Sequence, residues 1–209
     1  MQTTDAPQPD ASGKRRIRLI GIVILNLVAF GALGAYIFTG GLTRQVQQAV
    51  TLGGPFELET TGGQPITEAY FAGKPYAVFF GFTHCPDVCP TTLSEMAHWI
   101  GELGADADRM RFAFVTVDPA RDTHEILSEY VGYFSDRIVP MTGSEEAVRN
   151  AISAFRIYAQ RVDLEGGDFT IDHSASVYLM DADNNFVRSI GYGEGPERAL
   201  SSLRSLIGR

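Results

Sequence analysis

One stretch, KPYAVFFGFTHCPDVCPTTLSEMAHWIGEL at residues 74–103, limits the folds open to this chain more than any other. Its first part, through Phe82, is a nearly continuous apolar run, the mark of a strand covered on both faces. From Pro90 onward, Leu93, Met96, Ile100 and Leu103 recur at helical spacing, and a proline is tolerated at a first helical position because its missing N–H has no partner there. A doubly covered strand feeding straight into a helix calls for layers of helix on both sides of a sheet.

The rest of the chain repeats that alternation. PFELET and TGGQPI form a candidate hairpin ahead of the buried strand, and MRFAFVTVD reads as a strand after the helix. DTHEILSEYVGYF reads as a helix with Asp122 and Glu125 in an N-terminal cap pattern. IVPMTG is a short strand, SEEAVRNAISAF a helix ending near Phe155, and IYAQRVD a further strand. SVYLMD and FVRSIGY flank a turn-rich Asp-Ala-Asp-Asn-Asn and read as an antiparallel hairpin, and PERALSSLRSLIG closes the chain as an amphipathic helix. The expectation is one α/β domain over residues 51–209 with a mixed central sheet flanked by helices.

Before it, LIGIVILNLVAFGALGAYIF at residues 19–38 carries no charge. About 20 apolar residues is the length that crosses a bilayer core. Secretory signals have a shorter apolar region, so this run reads as an uncleaved anchor, although Thr39, Gly40 and Gly41 would suit a peptidase. Lys14, Arg15, Arg16 and Arg18 precede it and only Arg44 follows closely, which keeps the N-terminus in the cytoplasm. The expected plan is a cytoplasmic tail at 1–18, disordered over MQTTDAPQPDASGK, an anchor at 19–38, a linker at 39–50, and the domain outside. The acidic residues of the tail argue against a mitochondrial transit peptide, which favours a single pass through a bacterial inner membrane with the domain in the periplasm.

The formal charge of the chain is −8, of which residues 1–18 contribute +2 and the remainder −10. Phosphate recognition needs clustered cations, so nucleic acid is an unsuitable partner.

The chain has two cysteines, Cys85 and Cys89, both at the strand–helix junction. A disulfide between them would close so short a loop that it would remove little chain entropy from the unfolded state. A helix N-terminus stabilises a thiolate, so the sulfurs are reactive or metal-binding, and the C-x-x-x-C spacing leaves redox and metal chemistry both open. Two thiolates are too few for a closed zinc site and suit a soft ion such as Cu(I), with imidazole serving both Cu(I) and Cu(II). Of the four histidines, His84 adjoins Cys85, His98 lies two turns into the helix and His124 opens the next one. His173, in TIDHSASVYLMD at the mouth of a strand, is left as a candidate third ligand, with packing or surface exposure as its ordinary alternatives.

GFTHCPDVCPTTL, VTVDPARDT and DHSASVYLMD, in this order and spacing, resemble the Sco/SenC family of membrane-anchored copper proteins from about Gly53 to the end of the chain. The resemblance implies a thioredoxin-like fold and copper held by two cysteines and a distal histidine, which match Cys85, Cys89 and His173. It implies delivery of copper to the binuclear CuA site of cytochrome c oxidase subunit II, or maintenance of that site's thiols, with other periplasmic copper chaperones or thiol reductants as further partners. The alternative is a periplasmic thiol-disulfide oxidoreductase in which Cys85 and Cys89 are the catalytic redox pair. His124 stands where many relatives have proline, offering a further metal contact. Asp118, Arg121 and Asp122 fall in a loop expected beside the cysteines, with a turn and helix cap as the plain alternative. Asp172 adjoins His173 but, as its neighbour in a strand, points the other way.

Overall fold

The computed structural model describes residues 11–38 and 52–208, and the chain divides into two units, the first ending at Val50 and the second beginning at Thr51. In the first unit, Ala11–Phe38 form one helix, α1. It begins ahead of the expected span, so residues 11–14, read from sequence as disordered tail, are helical and continuous with Arg15 and Arg16. Residues 1–10 of that tail and the linker at 39–50 lie outside the described residues. Along α1 the side chains of Ile22, Leu25 and Phe30 are exposed, and Asn26 donates from Nδ2 to the Ile22 carbonyl at 2.7 Å. Among the described residues no helix is long and apolar enough to cross a membrane.

The second unit opens with the expected hairpin, β1 (Glu57–Thr60) and β2 (Pro65–Thr67), in which Leu58 faces Ile66. Strand β3 (Tyr76–Gly81) leads to α2 (Val88–Leu103), β4 (Arg111–Thr116), α3 (His124–Gly132), β5 (Ile138–Thr142) and α4 (Glu145–Ala154). A ribbon of β6 (Ala159–Asp163) and β7 (Phe169–His173) follows, then the hairpin β8 (Ser176–Met180) and β9 (Phe186–Gly191), and last α5 (Pro196–Ile207). The main sheet has seven strands in the order β2-β1-β5-β4-β3-β8-β9. Its centre, β3, β4 and β5, is parallel and its flanks are antiparallel, which makes it the mixed sheet read from the alternation.

Every residue of β3 is buried, as its unbroken apolar run requires. One face sends Tyr76, Val78 and Phe80 against Phe71, Met141, Ala151 and Phe155. The other carries Phe79 against Phe114, and Phe114 in turn against Tyr130 of α3.

Three local readings are corrected. Helix α2 starts at Val88, two residues before Pro90, with Asp87 at the cap position but making no side-chain cap hydrogen bond; Pro90 still falls in the first turn, where backbone N–H groups lack helical partners. Helix α3 is capped by Thr123, whose hydroxyl accepts from the Ile126 N–H at 3.3 Å, so Asp122 is free for a different task. His173 ends β7 and does not begin the next strand. The β6–β7 ribbon turns through Gly166 and Gly167, at φ of 94° and 89°, a conformation glycine adopts without steric penalty.

Candidate metal centre

Strands β3 and β4 are parallel, with Gly81 opposite Thr116, so the loops that follow them emerge side by side at the carboxyl edge of the sheet, where α/β domains place their function. The first loop carries Cys85, half-buried, and delivers Cys89, fully buried, into the first turn of α2. Both are free thiols. Cys89 fits only because residue 81 is glycine: a Cβ there would stand 2.6 Å from Cys89 Sγ and 2.9 Å from Phe114 Cε2.

His173 arrives by a non-local route. Strand β8 runs antiparallel to β3 with Tyr76 opposite Met180 and Val78 opposite Tyr178; continuing that register sets Phe82 opposite Ser174. The chain just before β8 must therefore pass over the cysteine loop. The ring of His173 packs on Phe79 and edge-on to Phe82, with centroids 5.9 Å and 5.7 Å away. Its Nε2 lies 3.3 Å from Cys89 Sγ, and its Nδ1 lies 3.1 Å from the Ser174 carbonyl oxygen. A carbonyl only accepts, so Nδ1 carries the proton and the Nε2 lone pair is turned to the sulfurs. The ligand atoms of Cys85, Cys89 and His173 all lie within 4.8 Å of one another.

The two sulfurs are electrostatically unequal. A hydrogen bond from the Cys89 thiol holds Cys85 far below the ordinary thiol range, at about 3, with the backbone N–H groups of Asp87 and Cys89 assisting against burial. Cys89 is pushed up by the same bond and by its burial. The two shifts are opposite in direction and favour a thiolate on Cys85 and a thiol on Cys89. Beside it lies an open cleft of about 300 Å³ lined by Cys85, Pro86, Val88, Tyr158, Ile171 and His173, among others.

The VDPARDT loop does lie beside the cysteines. Asp122 is buried and accepts from the Thr83 N–H at 3.1 Å and from the hydroxyls of Thr83 and Thr116, each at 2.6 Å. It ties the start of the cysteine loop to the end of β4. Burial raises its carboxyl pKa, against the pull of those donors. Asp118, also buried, pairs with Arg121 Nε at 2.5 Å, and Arg121 reaches across to the Phe169 carbonyl at 3.0 Å.

The remaining histidines lie apart from the cluster. His84 hydrogen-bonds Thr83 through Nδ1 at 3.0 Å. His98 borders a separate cleft with Glu95, Trp99 and Pro196. His124, offered as a further metal contact, instead pairs with Glu59 of β1 at 3.4 Å. Asp172 is exposed while His173 is partly buried, the alternation a strand imposes. The residues that sequence reasoning missed are Gly81, Phe79, Phe82 and Thr83. Gly81 had a signal, since an isolated glycine ending a buried strand marks a close approach.

The SCO1/SenC family model matches residues 44–208. The chain belongs to the SCO1/SenC family. It is 36% identical over 163 residues to the protein "SCO2, mitochondrial" of Saccharomyces cerevisiae, a match covering 76% of this chain and 54% of that protein. It is 30% identical over 193 residues to a SCO2-like protein of Rickettsia conorii, covering 88% and 94%. The chain spans about half the length of the yeast and plant SCO proteins it matches. Among solved structures, copper-bound ScoI of Bradyrhizobium japonicum is 39% identical with a TM-score of 0.69, covering 74% of this chain and 99% of that one. Copper-bound ScoI of Arabidopsis thaliana is 34% identical with a TM-score of 0.70, covering 75% and 98%. The mixed sheet with flanking helices is thus the thioredoxin-like architecture of Sco proteins.

Proposed function

We propose that this SCO1/SenC protein is a copper carrier in which Cys85, Cys89 and His173 hold copper and release it to the CuA site of cytochrome c oxidase subunit II. The observation that carries this is the convergence of two sulfurs and one imidazole nitrogen within 4.8 Å. Two thiolates and a neutral imidazole are a soft donor set that favours Cu(I). The carbonyl of Ser174 fixes the tautomer that donates through Nε2, the usual outer support of a ligating histidine. Three donors leave room for an incoming acceptor ligand, which suits transfer. The relatives crystallised with copper support the choice of metal.

The proposal extends to topology: a tail at 1–18, a single-pass anchor at 19–38, a linker at 39–50 and the copper domain from 51, with the N-terminus in the cytoplasm and the domain in the periplasm of a bacterium. The uncharged run supports it, as do the exposed Ile22, Leu25 and Phe30 of α1.

A second reading draws on the asymmetry of the thiols. The Cys85 thiolate attacks a disulfide sulfur of a target, forming a mixed disulfide and expelling one target thiolate. Cys89 then attacks Cys85 Sγ, releases the second target sulfur and gives up its proton to it. The target gains two electrons, and a Cys85–Cys89 disulfide remains for an external thiol reductant to reduce.

Mixing the reduced, copper(I)-loaded chain with a copper-free, reduced CuA domain tests the carrier reading: copper moves to the acceptor, and His173→Ala weakens loading while the two thiols still bind. Retention of copper beside fast reduction of an oxidised CuA domain, unchanged in His173→Ala, favours the reductase.

A further inference from the structure

The ribbon that delivers His173 is not a member of the main sheet. Strands β6 and β7 form a separate two-stranded sheet, so no strand ladder fixes the imidazole against the cysteine loop. Among the described residues, the hydrogen bonds that leave residues 159–173 for the rest of the domain, their neighbours Tyr158 and Ser174 aside, are the contact of His173 with Cys89 and those made by Arg121.

Arg121 grips the far end of the same strand face. Its Nη1 donates to the Phe169 carbonyl at 3.0 Å and approaches Asp168 at 3.4 Å. Its guanidinium carbon stands 3.6 Å from the Phe169 ring centroid and 5.8 Å from that of Phe82, the residue on which the His173 ring rests edge-on. Arg161, from β6, stacks on the same Phe169 ring at 3.5 Å. The clamp has a firm base: buried Asp118 holds Arg121 Nε and is itself fixed by its N–H donating to Thr116 Oγ1 at 2.9 Å. In a strand, alternate residues share a face, so Phe169, Ile171 and His173 line up toward the domain. The span from Phe169 to His173 is about 13 Å at 3.3 Å per residue, short and stiff enough to transmit position.

We infer that Arg121 is a positioning residue for copper binding, which clamps Phe169 and thereby holds the ribbon so that His173 stays over the two sulfurs. This rests on the reading of His173 as a ligand. Arginine suits the task because its plane stacks on the ring while its fork donates to a carbonyl; lysine offers neither together.

The test is competition for copper(I) between a chromophoric chelator and the reduced full-length chain in detergent. Arg121→Ala weakens copper(I) binding by about ten-fold, the range of a lost outer support of a metal ligand. In a His173→Ala background the same change adds less than about two-fold, because the residue it positions is gone. Phe169→Leu reproduces the loss and Phe169→Tyr retains wild-type affinity, with helical circular dichroism and two titratable thiols confirming that each variant is folded. The clamp is overturned if Arg121→Ala and Phe169→Leu bind as wild type while His173→Ala is impaired, or if their effects multiply in full with His173→Ala. A neutral His173→Ala overturns the ligand reading itself, and the clamp with it. Should Arg121→Ala not fold, the Phe169 pair decides alone.

Discussion

Nε2 of His173 stands 3.3 Å from Sγ of Cys89, although the two residues are 84 positions apart in sequence. The distance is closed by the antiparallel pairing of β8 with β3, so the pairing that builds one flank of the sheet also assembles the site. A fold that loses this pairing loses the imidazole but keeps both thiols, which are local to one loop and one helical turn.

The unequal thiols give a pH signature. Below its pKa an ordinary thiol, with a value of 9.0, loses thiolate about ten-fold per pH unit. Cys85 is held down to about 3 by the Cys89 thiol, so in the metal-free reduced chain its alkylation by iodoacetamide changes by less than about two-fold from pH 8 to pH 5. Cys89→Ala removes the donor and restores the steep dependence. A steep fall in the wild-type chain contradicts the shared proton.

Metal binding expels the proton that remains on Cys89. Copper(I) affinity therefore weakens by about ten-fold for each unit the pH falls between about 8 and 7, above the range in which an ordinary imidazole takes up a proton, a slope of one proton. Competition titrations at several pH values read that slope directly, and a slope of two protons shows that Cys85 is an ordinary thiol.

Gly81→Ala forces a methyl group into the 2.6 Å gap before Cys89 Sγ. Neither neighbour is the end of a flexible chain, so overpacking destabilises the domain by about 1–3 kcal/mol and displaces one ligand. Urea unfolding and copper(I) competition both shift; an unchanged midpoint shows that the helix start yields more freely than the geometry allows.

Asp122→Ala leaves the Thr83 N–H and two hydroxyls without their acceptor. Unsatisfied buried groups cost about 1–3 kcal/mol. Because burial raises the Asp122 carboxyl above 3.8, the folded state binds its proton more readily than the unfolded state, and this stabilising contribution grows as the pH falls through the folded value. The deficit of the variant, measured by urea unfolding, is thus larger at pH 4 than at pH 7. A deficit that shrinks in acid reverses the sign and contradicts the raised pKa.

What sequence could reveal followed from how local each feature is. The apolar run of β3, the helical spacing in α2 and the turn-rich link between β8 and β9 are short-range patterns, and each formed the element it encodes. Strand β7 was not legible, because FTIDH is short, mixed in polarity and pairs only with β6 across a glycine turn. Asp122 was read as a helix cap because Asp-Thr-x-Glu looks like one locally, whereas its acceptors' work is done for Thr83, on another loop. The approach of His173 to the sulfurs depends on strand register, which no spacing within a segment encodes. Elimination among the four histidines left His173 as a candidate only, and the family resemblance carried its reading as a ligand.

Copper K-edge X-ray absorption on the reduced, copper(I)-loaded full-length chain addresses the central claim most directly. Copper held by Cys85, Cys89 and His173 predicts two sulfur scatterers and one nitrogen scatterer with imidazole character, and loss of that nitrogen in His173→Ala. A first shell that is the same in His173→Ala, or that lacks imidazole in the wild-type chain, contradicts the three-residue site and leaves a bare dithiol.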